Sequence, residues 1–274
     1  MKNHFKLILL LILSIVIISP KLINVEASEN NTFIISDGKL ESTMPEKYRN
    51  IESLNISGSG QFTPNQLPNL VKSLGKEKIL DIDLRQESHG FINDIAFSYT
   101  GNSDALNYGM SSNSVIVKEI KDLEKIKLNS NIKIYNKARK PQEDLTVKKV
   151  MSEYDLVTKN NIEYIRLAVK SNGLPSEEVI DSFINIVKNK PKDLHTHFHC
   201  DYGDGRTTLF MVMYQIMNNN LDLSLDEILK YQFENGGVEL NTNKERVNFL
   251  NNFYDYVKCN KDNNYEIAYS NWKV

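Results

Sequence analysis

The chain has 274 residues, 41% of them hydrophobic and 25% charged, a balance that suits a globular fold and excludes a disordered or fibrous one. A net charge of -2 provides no basic field for nucleic acid as a partner. Two cysteines, Cys200 and Cys259, are too few for a disulfide framework.

In chain order, the N-terminus carries the pattern of an export signal. Lys2 and Lys6 flank the start of an apolar run from Leu7 to Ile18, broken only by Ser14, and Val25-Glu26-Ala27 supplies small residues for cleavage. A bilayer crossing takes roughly 20 apolar residues, so the run is short for a permanent anchor. The expectation is a signal peptide over 1–27, a domain over 28–274, and a secreted or cell-surface protein without stable membrane insertion after cleavage.

Glu29 to Gly38 is polar and reads as a loose lead-in. Ile51 to Ser57 and Ile79 to Leu84 have strand character, and Thr63 to Leu74 between them places Leu67, Leu70, Val71 and Leu74 at helical spacing. Strand, helix, strand is the unit of a parallel sheet. The region 111–150 differs in texture, with short runs such as Val115-Ile116-Val117 and Ile132-Lys133-Ile134-Tyr135, and reads as a small β-rich insertion. The α/β pattern resumes with a strand at Ile162 to Leu167, a helix at Pro175 to Lys188, a strand at Asp193 to His199 and a helix at Thr207 to Met217. Two further helices are expected at Leu223 to Gln232 and Lys244 to Val257.

The segment that carries chemistry is His199-Cys200-Asp201-Tyr202-Gly203-Asp204-Gly205-Arg206-Thr207-Thr208, set between a strand and an apolar helix. A loop in that setting turns its backbone N–H groups onto one point, and the positive end of the following helix adds to them, which makes an anion cradle. Gly203 and Gly205 permit tight turns and close backbone approach. That field favours the Cys200 thiolate, Arg206 offers a planar fork matched to two phosphate oxygens, and Thr207 is placed to hydrogen-bond the sulfur. The expected chemistry is attack on phosphorus by Cys200.

A nucleotide-binding P-loop does not fit, because no Gly-Lys-Ser/Thr follows the glycines. His195, His197 and His199 share one face of a strand, yet the outer two stand roughly 13 Å apart at strand rise, too far for one ion. Support of the core or loop is the expected role, with no metal and no cofactor. Cys259 has no motif around it and reads as a bystander.

On these residues the chain resembles the protein-tyrosine-phosphatase-like phytases, or cysteine phytases, bacterial enzymes that release phosphate from inositol polyphosphates without a metal. The resemblance takes in Gly58-Ser59-Gly60-Gln61-Phe62, Asp83-Leu84-Arg85-Gln86-Glu87-Ser88-His89-Gly90, Tyr164-Ile165-Arg166, the loop with Thr207 to Met213, Ile228 to Gly237, and Phe253-Tyr254-Asp255-Tyr256-Val257. It runs through most of the chain after about Phe33. It implies a tyrosine-phosphatase-like α/β core, a parallel-rich sheet flanked by helices, and a small β-rich, barrel-like subdomain built partly from the insertion. In the family pattern the Tyr-x-Arg strand is followed by Thr-Asp-His-x-Trp-Pro, whose Asp protonates the leaving oxygen; here the stretch reads Lys170-Ser171-Asn172-Gly173-Leu174-Pro175, with Ser171 in the acid position. Asp204 is the natural substitute acid, or else it caps a turn.

Relatives also carry a lysine-rich stretch where this chain has Val238 to Asn243, which has no basic residue. Less charged phosphoesters, phosphopeptides included, therefore join inositol phosphates as expected partners. Arg85 either touches a second substrate phosphate or braces the loop by pairing with Glu87, and Lys170 either reaches the site or is a solvated lysine. His199, Asp201, Tyr202, Gly203 and Gly205 complete the expected binding set. Other readings of the same residues are a pseudophosphatase that binds phosphorylated ligands without turnover, and a protein-tyrosine or phosphoinositide phosphatase.

Overall fold

The computed structural model describes residues 32–38, 41–101 and 106–272, so the export-type segment lies outside the described residues. In chain order the strands are β1 (Phe33–Asp37), β2 (Arg49–Ile51), β3 (Ile56–Ser59), β4 (Ile79–Arg85), β5 (His89–Ile92), β6 (Ile95–Thr100), β7 (Asn131–Tyr135), β8 (Pro141–Thr146), β9 (Val150–Met151), β10 (Glu163–Val169) and β11 (His195–His199). The helices are α1 (Leu67–Leu74), α2 (Ser112–Glu124), α3 (Glu153–Lys159), α4 (Glu177–Asn189), α5 (Gly205–Met217), α6 (Leu225–Glu234) and α7 (Lys244–Asn260).

One sheet has the order β10-β4-β11-β3-β2, with β10, β4, β11 and β3 parallel and β2 antiparallel at the edge. The central strands are buried on both faces, as β4 is from Ile79 to Arg85 and β11 from His195 to His199. The C-terminal ends of β3, β4, β10 and β11 therefore open on one side, where ligands bind in open α/β sheets.

Helix boundaries follow local chemistry. Ser176 caps α4 by accepting from the Val179 N–H, with Glu177 and Glu178 in the positively polarised first turn. α1 buries Leu67, Leu70 and Leu74 along one stripe and ends at Gly75 in the left-handed conformation, φ 59°. α5 has no polar face: every residue from Arg206 to Met217 is buried, between the sheet and helices α6 and α7. A helix apolar all round belongs in a core, and truncating Phe210, at 0% exposure, to alanine would cost about 3–5 kcal/mol. That rigid placement fixes the α5 N-terminus against the loop before it.

Several sequence expectations change. Phe33–Asp37, in the stretch read as a lead-in, is strand β1, paired antiparallel with β6. The single strand expected at Ile51 to Ser57 is two short strands separated by a 3-10 turn at Glu52–Leu54, because Asn55 takes a left-handed conformation, φ 54°. The region 111–150 begins with helix α2 rather than a strand: Ser111 caps the Ser114 N–H, and Val115, Glu119, Asp122 and Leu123 turn to the core at helical spacing. Its strands β7 and β8 join a second sheet, β8-β7-β1-β6-β5-β9, whose ends β8 and β9 do not pair. The β-rich portion is thus an open sheet that draws on β1, β5 and β6 as well as on the insertion.

Candidate active site

The loop between β11 and α5 is shaped by two glycines pressed together. Gly203 has φ +79°, and a Cβ there would lie 2.4 Å from the Gly60 N and 2.6 Å from the Ser59 carbonyl carbon. Gly60 in turn follows β3 and leaves no more than 3.0 Å for a Cβ against the Asp201 carbonyl oxygen. The Gln61 N–H donates to that oxygen at 3.0 Å, so the Gly58-Ser59-Gly60-Gln61 segment is the floor on which the loop rests.

Cys200 sits in this loop at 3% exposure. The Thr207 hydroxyl donates to its Sγ at 3.2 Å. Burial alone pushes the thiol up, but the Arg206 guanidinium, the Thr207 hydroxyl and the N–H groups of Thr207 and Gly203 outweigh it and bring the group below the ordinary thiol value. Each of these donors belongs to the loop or to the first turn of α5. Both cysteines are free, Cys259 being exposed near the end of α7.

Arg206 is locked by Glu87, which follows β4: Nη1 donates to Oε2 at 3.0 Å and Nη2 to Oε1 at 3.2 Å. Nη1 also donates to the Val169 carbonyl at 3.0 Å, at the end of β10. Burial works against the Glu87 carboxylate, yet Arg206 and Arg85 hold it well below the usual carboxylate range. Arg85 donates from Nε to Glu87 Oε1 at 2.9 Å and from Nη1 to Gln61 Oε1 at 2.7 Å, and its Nη1 lies 3.0 Å from Asp37 Oδ2. The bracing pair is what the structure contains: Arg85 is wholly buried, between Glu87, Gln61 and Asp37.

Behind the loop lies a buried charged network. His199 Nε2 is 2.6 Å from Glu153 Oε1 and 3.7 Å from Asp81 Oδ2, and His89 Nε2 is 3.2 Å from Glu153 Oε2. Arg166 Nη1 is 2.6 Å from Asp83 Oδ2. Burial pushes His199 down, but Glu153 and Asp81 more than reverse it and raise it to about 9; Glu119 and Asp83 likewise raise His89 to about 10. His195 and His197 instead share the Ser57 hydroxyl, at 2.8 Å each, and burial keeps both imidazoles below their ordinary value. His199 is thus buried in this network, on the core side of the loop. Asp81, Glu153 and His199, and separately Asp83, His89 and Glu153, bring ligand-type atoms within 4.8 Å of one another. His199, His89 and Arg166 face these carboxylates, while both Asp81 carboxylate oxygens lack a hydrogen-bond partner among the described residues.

A cavity of about 120 Å³ opens over Cys200, lined by Ser171, Asn172, Tyr202, Asp204, Gly205, Arg206 and Arg246. It shares Ser171, Asn172 and Tyr202 with a second cavity of about 310 Å³, lined also by Lys137, Arg139 and Asp201. Asp204 makes no capping hydrogen bond to α5 and stands 3.8 Å from Lys47, 41% exposed, on the cavity wall. Turn-capping is therefore not its role. The Asp201 side chain faces the second cavity, bound by Lys137 Nζ at 2.6 and 2.7 Å. Lys170 points elsewhere, its Nζ 4.9 Å over the Tyr108 ring, and lines neither cavity. Sequence reasoning missed Glu87 as the partner of Arg206, and missed Lys137, Glu153 and Arg246. Only Glu87 gave a local signal, as an acid just beyond a strand end beside Arg85.

Comparison with known proteins adds four findings. The PTP-like phytase family model, described by inositol hexakisphosphate, matches residues 82–218. The effector protein hopD2 of Pseudomonas syringae pv. tomato is 24% identical over 245 residues, covering 82% of this chain and 52% of hopD2, so the chain spans about half the length of that curated relative. The structure of the PTP-like myo-inositol phosphatase from Mitsuokella multacida in complex with myo-inositol-(1,3,4,5)-tetrakisphosphate matches with a TM-score of 0.80 at 28% identity, covering 88% of this chain and 48% of that one. A PTP-like phytase from Bdellovibrio bacteriovorus matches with a TM-score of 0.77 at 28% identity, covering 88% of this chain and 94% of that one.

Proposed function

The chain belongs to the protein-tyrosine-phosphatase-like phytase family, and from that premise we propose that it is an exported phosphomonoesterase that passes a phosphoryl group from an inositol phosphate to Cys200 and then to water. The observation that carries this reading is the convergence on Cys200 Sγ of Thr207 Oγ1 at 3.2 Å and of loop N–H groups, beside an Arg206 fixed by Glu87. Inositol phosphate as the substrate class is supported by the family description and by the ligand of the Mitsuokella structure. Export is supported by Lys2, Lys6 and the Leu7 to Ile18 run.

In this mechanism the Cys200 thiolate attacks phosphorus, forming the P–S bond as the bond to the ester oxygen breaks. Loop N–H groups and the free edge of the Arg206 guanidinium hold the non-bridging oxygens, where charge gathers in the transition state. Asp204, on the cavity wall, gives its proton to the leaving oxygen. It then takes a proton from water as that water attacks the phosphocysteine. Sulfur departs as a thiolate, stabilised again by the Thr207 hydroxyl, and phosphate is released.

A second reading has one observation in its favour: Ser171 lines the cavity where the family motif places the acid. A pseudophosphatase would keep the cradle and bind phosphorylated ligands without turnover. Phosphate release from para-nitrophenyl phosphate and from inositol polyphosphates separates the two. The enzyme turns over at least the activated ester, Cys200→Ser abolishes it, and acid quench traps phosphate on Cys200. Binding without product or phosphoenzyme would establish the pseudophosphatase instead.

A further inference from the structure

Arg49, on the edge strand β2, is placed behind the loop rather than over it. It is 6% exposed. Its Nη1 donates to the Gly203 carbonyl at 2.9 Å and to the Lys47 carbonyl at 3.0 Å, and its Nη2 donates to Thr208 Oγ1 at 3.1 Å. Thr208 Oγ1 also accepts the Val238 N–H at 3.1 Å. One guanidinium therefore joins β2, the loop, the first turn of α5 and the segment after α6.

Among the described residues Arg49 has no carboxylate partner, and its Nε has no hydrogen-bond acceptor. A buried guanidinium without a counter-ion is costly. Burial lowers its pKa to about 10, while the Cys200 thiolate, first, and Asp204 act to raise it. The anions that bear on Arg49 are thus those of the reaction site. Cys200 in turn is faced by Arg206 and Thr207 from α5 and by the Gly203 N–H from the loop. His197, on β11, is pushed further down by the same Arg49 charge, while His199, at the end of that strand, carries a charge that is met by Glu153 at 2.6 Å.

We propose that Arg49 is a positioning residue of this site: its fork fixes the Gly203 carbonyl and Thr208 so that the loop N–H groups stay aimed at the anion, and its charge is the rear counter-charge of the Cys200 thiolate and then of bound phosphate. The proposal rests on Cys200 being the nucleophile. A Gly203 carbonyl released from Arg49 would leave its peptide free to rotate and turn an oxygen toward the anion.

The test is the rate of Cys200 alkylation by iodoacetamide against pH, followed by mass spectrometry of the Cys200 peptide in the full chain. Wild type, Arg49→Gln and Arg49→Lys are compared, each with and without inorganic phosphate as protectant. Arg49→Gln moves the thiol midpoint upward and slows alkylation at pH 6 about tenfold, the lower end of what loss of an opposite charge does. Arg49→Lys keeps the charge and the wild-type midpoint, yet needs about tenfold more phosphate for protection, because an ammonium does not span both acceptors. An Arg49→Gln protein that melts as wild type and keeps its midpoint overturns the proposal. Should that variant not fold, Arg49→Lys decides: wild-type midpoint with wild-type protection overturns it. A wild-type midpoint at the ordinary thiol value would remove the nucleophile reading and this proposal together, whereas a low midpoint indifferent to Arg49 removes only the latter.

Discussion

Glu87 grips Arg206 with both carboxylate oxygens, at 3.0 and 3.2 Å, across 119 residues of sequence. The same carboxylate accepts from Arg85 Nε at 2.9 Å. Arg206 is thereby held with one edge committed and the other turned to the cavity over Cys200.

Glu87→Gln keeps the shape and removes the charge. The Arg206 fork then loses its fixed orientation, and a misplacement of about 1 Å at a reacting group costs about 10²-fold. The expected outcome is a fall of that order in kcat/KM on para-nitrophenyl phosphate, with a lower melting temperature because Arg206 and Arg85 lose a shared counter-ion. Unchanged kcat/KM would show that Glu87 only completes the core.

What was legible in the sequence was local. The β11–loop–α5 unit announces itself through a strand, two glycines, an arginine and an apolar helix within about twenty residues, and α4, α6 and α7 carry their own caps and stripes. The second sheet did not, because β1 is short and polar-flanked and pairs with β6 more than fifty residues away. α2 was hidden by β-branched Val115-Ile116-Val117, whose strand propensity yields to the Ser111 cap and the core spacing of Val115, Glu119 and Leu123. Glu153 and Lys137 acquire their roles only through tertiary contact with His199 and Asp201, so no window around either residue contains the signal.

Gly203→Ala tests the loop floor. Its Cβ would meet the Gly60 N at 2.4 Å in a left-handed backbone, so the loop must move. Strain of this kind costs about 1–3 kcal/mol. Activity on any phosphoester should fall by at least the corresponding ~10-fold, with circular dichroism retained. An alanine variant with normal activity would mean the loop has another resting geometry.

The buried histidines set a pH limit on stability. His199 at about 9 and His89 at about 10 lie above the unfolded value of about 6.5. The folded protein therefore holds more protons than the unfolded chain between these values, and unfolding free energy falls as pH rises from about 6.5 toward 10. Asp83 and Glu153 are depressed, so their contribution is present above the ordinary carboxylate range and is lost in acid. Urea unfolding at pH 6, 8 and 10 should give a decreasing series. A flat series would mean that His199 and His89 are neutral in the fold.

Leaving-group dependence decides the proton donor. Ser171 and Asp204 line the same cavity as Cys200, and of the two only Asp204 carries a carboxyl group, the type of side chain that serves as a general acid. General acid help is typically worth about 10²–10⁴-fold, and it matters for an inositol alkoxide far more than for an acidic phenol, which leaves as a stable anion. If Asp204 is the donor, Asp204→Asn lowers turnover of inositol phosphates by about 10² and that of para-nitrophenyl phosphate by only a few-fold, and Ser171→Asp changes little. If no donor is in place, wild type already shows the steep leaving-group dependence. Ser171→Asp, or the fuller change with Asn172→His and Leu174→Trp, then raises the rate on inositol phosphates selectively. The readout is the slope of log kcat/KM against leaving-group pKa over a series of aryl and alkyl phosphates. A slope untouched by both Asp204→Asn and Ser171→Asp removes both residues from proton transfer and leaves phospholigand binding as the better account of the cavity.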